Sequence, residues 1–139
     1  MGNFDGVTFA TFLEMFYNNE LMFGDWFDVV HGYWNIRHKA NILIVKYEDM
    51  HRRPLEGIRD VARFCGKSLT DDELQRIADH TTFKSMKVNE QINQLNGQYI
   101  RKGVVAGWKN HFTVTQNERF EHWFNKKMKD SDLQVDFSL

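Results

Sequence analysis

Ile42-Leu43-Ile44-Val45-Lys46-Tyr47 is the one stretch of this chain that reads as a strong β-strand. Four consecutive aliphatic residues, three of them β-branched, suit a strand covered on both faces. That is the habit of a central parallel strand in an α/β sheet. A lone strand cannot satisfy its own backbone donors and acceptors, so it needs neighbours. The tail from Leu133 to Leu139 alternates only weakly and is a poor central partner. The stretch therefore reads as part of a sheet whose other strands are missing from the chain or supplied by another chain.

Outward from it, helices dominate. On the N-terminal side, residues 1–6 read as a loose leader. From Thr8 onward, Phe9, Phe12, Leu13 and Phe16 recur at the spacing of one buried helical stripe. A second helix is predicted behind Asp25, an N-cap type, running to about His38. Trp26, Val30 and Tyr33 line one side of it, and Phe27 and Trp34 widen the apolar face. On the C-terminal side, Pro54 suits the first turn of a helix, whose N–H groups there have no internal partner. Leu55, Ile58, Ala62 and Cys65 follow at core spacing, and Gly66 supplies a stop. Thr70-Asp71-Asp72-Glu73 is a capping box, and Thr115-Gln116-Asn117-Glu118 reads as a second. The latter opens a final helix carrying Phe120, Trp123, Phe124 and Met128. Residues 87–99 read as a loop.

The composition narrows the class. With 139 residues the chain is sized for one domain, and 42% hydrophobic against 27% charged residues argues against disorder. The 12 Phe, 4 Trp and 4 Tyr favour large buried faces or flat rings offered to a ligand. A net charge of -1 provides no basic excess for nucleic acid. The lone Cys65 makes an intrachain disulfide framework impossible, and no metal-ligand spacing is present. No apolar run approaches the roughly 18 residues of a membrane span. The expected object is soluble and cytoplasmic, with no nucleic-acid or membrane partner.

Chemistry concentrates in Tyr99-Ile100-Arg101-Lys102-Gly103-Val104-Val105-Ala106-Gly107-Trp108-Lys109. Adjacent Arg and Lys followed by two glycines put positive charge on a loop whose backbone can approach a ligand. Arg offers a bidentate fork to phosphate oxygens, Lys a point charge, and Gly103 an exposed N–H. On pattern alone, a solvated basic turn is the favoured reading, because short motifs often match by chance.

Arg101-Lys102-Gly103 followed by Trp108-Lys109-Asn110-His111-Phe112-Thr113-Val114 resembles RKGxxGxWKNxFTV, the C-terminal signature of the cytosolic sulfotransferases. Phe23-Gly24-Asp25-Trp26-Phe27 resembles that family's YGSWF, and Tyr47-Glu48-Asp49-Met50 its YEDM. His80-Thr81-Thr82-Phe83 with Met86-Lys87 is similar to HTSFxxMK. Several spaced motifs in one order cover nearly the whole chain. The resemblance implies an α/β fold, the C-terminal half of a P-loop-like sulfotransferase domain. It would be mostly helical here, with one central parallel strand at about 42–47.

The family uses 3′-phosphoadenosine 5′-phosphosulfate (PAPS) and leaves 3′-phosphoadenosine 5′-phosphate (PAP). By resemblance, Arg101, Lys102 and Gly103 hold the 3′-phosphate, and Tyr47 faces the adenine. Thr81 and Phe83 then correspond to a polar contact and a ring near that base. Two of these have plainer alternatives: Tyr47 as an amphipathic residue at a strand end, Phe83 as core packing. Lys109, Thr113, Val114 and Glu118 match the short segment through which many family members form homodimers, where one patch meets itself.

The departures are equally definite. Ala106-Gly107 stands where the family has Gly-Asp. Between Lys87 and Arg101 lie 13 residues, about ten fewer than is common in the family, in a region where loop length is tolerated. The acceptor is therefore not carried over. The family's TYPKSGT-type loop, which wraps the 5′-phosphosulfate, has no counterpart here. Its catalytic histidine falls upstream of this chain, and none of His31, His38, His51, His80, His111 and His122 takes its position. No residue is assigned to catalysis or metal binding. The expectation is a sulfotransferase chain with weak nucleotide grip and no turnover alone, its small-molecule acceptor belonging to the complete enzyme. The alternative is a non-catalytic dimerising module, and a third possibility is a homodimer whose copies lend each other strands around Ile42 to Val45.

Overall fold

The computed structural model describes residues 6–22, 24–39, 41–89, 91–92, 100 and 102–136. The predicted leader at 1–6 lies outside these except for Gly6, as do residues 90 and 93–99 of the predicted loop at 87–99, while its residues 87–88 close a helix instead. Two compact units form, one from Met1–His38 with Trp108–Gln134, the other from Lys39–Gly107 with Val135–Leu139.

The first unit is built on three helices, α1 (Phe9–Tyr17), α2 (Trp26–Asn35) and a long one at Val114–Met128, and on the 3₁₀ turn Gly107–His111 from Trp108 onward. Thr8 caps α1 through its side chain, which accepts from the Thr11 N–H, and Asp25 caps α2 by accepting from Phe27. Leu13, Phe27, Phe124, Met128 and Leu133 form the buried core. Aromatic rings fill most of the rest: Trp123 lies 4.9 Å from Phe27 and 5.5 Å from Phe16, and Phe120 lies 5.3 Å from Trp108. Such pairs add about 0.5–1.5 kcal/mol beyond area burial, so the aromatic excess is spent here on packing.

Two sequence expectations shift in this unit. The buried face of α2 runs through Phe27, Val30, His31 and Trp34, while Tyr33 stays 59% exposed. That is one residue round from the predicted Trp26–Val30–Tyr33 line. The final helix opens at Val114, with Thr113 as N-cap and Gln116 completing the capping box. The predicted Thr115–Glu118 box is not formed. Both quartets have the right side chains, and the earlier register captures two more residues into the helix.

The second unit contains α3 (Tyr47–Arg52), α4 (Pro54–Phe64), α5 (Asp71–His80) and α6 (Phe83–Val88); the Val114–Met128 helix is α7. Pro54 sits in the first turn of α4, and Gly66 follows the helix with φ +70°. Thr70 and Glu73 form their predicted capping box. Ile58, Leu74 and Val105 are the buried apolar residues of this unit. At Gly57 an added Cβ would fall 2.1 Å from Met50 Sδ, which is how α3 closes onto α4.

The predicted strand at 42–47 is corrected. Residues 42–46 carry no regular structure, and Tyr47 opens α3 instead of ending a strand. No strand occurs among the described residues. Leu43, Ile44 and Val45 are 39%, 37% and 43% exposed. The physical reason is the one their composition implied: a strand is defined by its ladder, and here no second strand offers one.

Candidate functional site

The residues assigned to the nucleotide lie in the second unit, on α3, at the α5–α6 junction and on the loop before the 3₁₀ turn. The decisive relationship joins the last two. Gly103 has φ +61°, and a Cβ added there would stand 2.2 Å from Phe83 Cδ2, 2.8 Å from Cγ and 2.9 Å from Cε2. Left-handed backbone already favours glycine. The ring beside it removes every alternative.

Phe83 is the first residue of α6, held by Thr82, whose side chain accepts from the Ser85 N–H at 3.1 Å. The Phe83 ring is half-buried. Lys87, one turn later, holds Nζ 5.8 Å from the ring centroid. The sequence motif contained Lys87 without giving it a task; its i+4 spacing from Phe83 was the available signal.

Lys102 is exposed and makes no ion pair among the described residues. The Gly103 N–H likewise has no hydrogen-bond partner among them. Val105, buried to 6% exposure, pins the loop, while Val104 stays outside at 52%. Arg101, expected beside Lys102 in the cradle, lies outside the described residues.

Thr81 caps the end of α5, its hydroxyl donating to the Ile77 carbonyl at 2.9 Å. With its hydrogen engaged, what it offers outward is an acceptor. Tyr47 is 53% exposed at the start of α3, and its described ring contact is with His51. It is not brought against Phe83 or Gly103. Chemically, the assembled part is the Gly103 N–H, unpartnered among the described residues, the Phe83 ring and the Lys87 ammonium near it, with Lys102 next in the chain. Such a set matches a ligand carrying an anion beside an aromatic group.

In the first unit, Lys109, Thr113, Val114 and Glu118 are all exposed, Val114 to 76%. Thr113 is engaged as the cap of α7, and Lys109 Nζ lies 5.7 Å from the Trp108 ring centroid. Glu118 is released from the capping role that the sequence suggested.

The chain belongs to the sulfotransferase family: residues 2–132 match the model of the Sulfotransferase domain. It is 39% identical to sulfotransferase 1C2 of Rattus norvegicus, across 97% of this chain and 49% of that protein. Identity to sulfotransferase 1C2 of Homo sapiens is 37%, with the same coverage. Among solved structures, mouse sulfotransferase SULT7A1 complexed with PAP aligns with a TM-score of 0.83 and 33% identity, over 91% of this chain and 49% of that one. Retinol dehydratase in a complex with retinol and PAP aligns at 0.87 and 28% identity, over 94% and 41%. The chain thus spans about half the length of the curated relatives it matches. No helix among the described residues is long and apolar enough to cross a membrane.

Proposed function

We propose that this chain contributes the 3′-phosphate and adenine side of the nucleotide site of a sulfotransferase. The complete enzyme moves a sulfuryl group from PAPS to a hydroxyl or amine of a small acceptor. Lys102 and Arg101 grip the 3′-phosphate, the Gly103 N–H donates to it, and Phe83 meets the base. Thr81 accepts a hydrogen bond, and the exposed hydroxyl of Tyr47 reaches the adenine. The observation that carries this reading is the Gly103 backbone lying against the Phe83 ring. It unites two motifs that stand apart in the sequence. The PAP named for the solved relatives supports the choice of nucleotide.

On this reading residues 1–139 act as part of one cytoplasmic domain. The 5′-phosphosulfate loop and catalytic histidine belong to the half of the relatives' length that this chain does not span. Residues 42–45 then become the central parallel strand once neighbouring strands complete the sheet, or pair with a second copy. Calorimetry with PAP on the wild type and on Lys102→Ala tests the assignment. Wild-type binding weakened about tenfold or more by the substitution is expected, the weight of a charge-assisted hydrogen bond. Equal binding by both, or by neither, would refute the cradle.

The alternative reading, a dimerising module without catalysis, draws on the 76% exposure of Val114 beside Lys109, Thr113 and Glu118. It predicts a dimer by light scattering that Val114→Glu converts to a monomer. A wild type that is monomeric at all concentrations removes it.

A further inference from the structure

We propose that Phe83 is a positioning residue for the phosphate cradle, its ring holding the Gly103 backbone in the left-handed conformation and coupling recognition of the 3′-phosphate to that of the base. This rests on the nucleotide reading above and extends it.

Glycine enters left-handed backbone easily but leaves it as easily, so Gly103 alone does not define the loop. The ring supplies the missing restraint. Its Cδ2 occupies space only 2.2 Å from where a Cβ would stand, so the chain at residue 103 rests directly on it. The ring is in turn anchored to helical structure. Ser85 Oγ donates to the Asp79 carbonyl at 2.9 Å, and Thr81 donates back into α5, which locks the α5–α6 junction from which Phe83 projects. Lys87 Nζ adds a cation near the same ring. A donor held in place before binding loses less entropy on binding than one that must be ordered by the ligand. Phe83 therefore influences phosphate affinity through Gly103, without touching the phosphate.

A simple base contact makes a different prediction, so a ratio decides. Calorimetry on the full chain compares PAP with adenosine 5′-monophosphate, which lacks the 3′-phosphate. The wild type is expected to prefer PAP by about tenfold or more. Phe83→Leu should lose most of that preference, and Gly103→Ala should lose it in the wild type while adding little in the Phe83→Leu background. If Phe83→Leu weakens both nucleotides by one common factor, the ring is only a base contact and the inference falls. If the wild type binds neither, the nucleotide reading itself fails. The positioning claim retains its own measurement without ligand: the three-bond HN–Hα couplings of Gly103 in the free protein, which follow φ and not ring current, should move to averaged values in Phe83→Leu. Unchanged Gly103 couplings would overturn it.

Discussion

Lys127 Nζ, in the last turn of α7, lies 2.7 Å from Asp25 Oδ2 at the start of α2. The other oxygen, Oδ1, accepts from the Phe27 N–H at 2.8 Å and caps the helix. One carboxylate thus serves as both cap and cross-link, with its side chain only 12% exposed. Burial pushes its pKa up, but the hydrogen bonds from Lys127 and Phe27 and the Lys127 charge together outweigh burial. They hold it below the ordinary value of 3.8.

A depressed carboxylate stabilises the fold fully above its unfolded pKa, and that contribution disappears as pH falls through the folded one. Asp25→Asn keeps a good capping side chain but loses the charge. At neutral pH the variant is expected to lose about 0.5–1 kcal/mol in urea unfolding followed by tryptophan fluorescence. Below the ordinary carboxylate range the two proteins should converge. A difference of the same size at both pH values would place the effect in packing instead of charge.

Thr113, not Thr115, carries the cap of α7: its hydroxyl accepts from Gln116 N–H at 3.3 Å, while Gln116 Oε1 accepts from Thr113 N–H at 2.9 Å. Thr113→Ala is therefore expected to cost about 1 kcal/mol, and Thr115→Ala close to nothing. Urea midpoints for the two variants check this. The reverse order would restore the helix start to the later quartet.

These two quartets show where a sequence stops being legible. Helix starts are local, so Asp25, Pro54 and Thr70 could be read from neighbouring residues and stand where they were expected, and Thr8 proves to cap the stripe that begins behind it. Where two capping boxes overlap, local rules are degenerate, and the earlier one forms, adding two residues to α7. Ile42 to Val45 fail for a non-local reason: their composition describes what they need, a covered ladder, and not whether it is present. The family motifs were legible, because order and spacing survive without coordinates. The contact of Gly103 with Phe83 was not, since nothing in the spacing of the two motifs says that a ring from one fills the Cβ space of the other.

Ala106 marks the loop's remaining strain. It has φ +55°, the one left-handed non-glycine residue in that turn, at the position where the family resemblance expects glycine. An L side chain there costs about 1–2 kcal/mol. Glycine would relieve this, while adding about 0.4–1 kcal/mol of unfolded-chain entropy to be lost on folding. Ala106→Gly should therefore stabilise by up to about 1.5 kcal/mol, the difference between the two effects. The neighbouring residue gives the opposite sign: Gly107 is buried, and a Cβ there would stand 2.9 Å from Val104 Cγ2, so Gly107→Ala should destabilise. Thermal unfolding of both variants beside the wild type separates the cases. A lower midpoint for Ala106→Gly would show that the turn does not hold residue 106 in left-handed backbone in solution. The account of the loop as a restrained chain from Gly103 to Gly107 would then have to be abandoned.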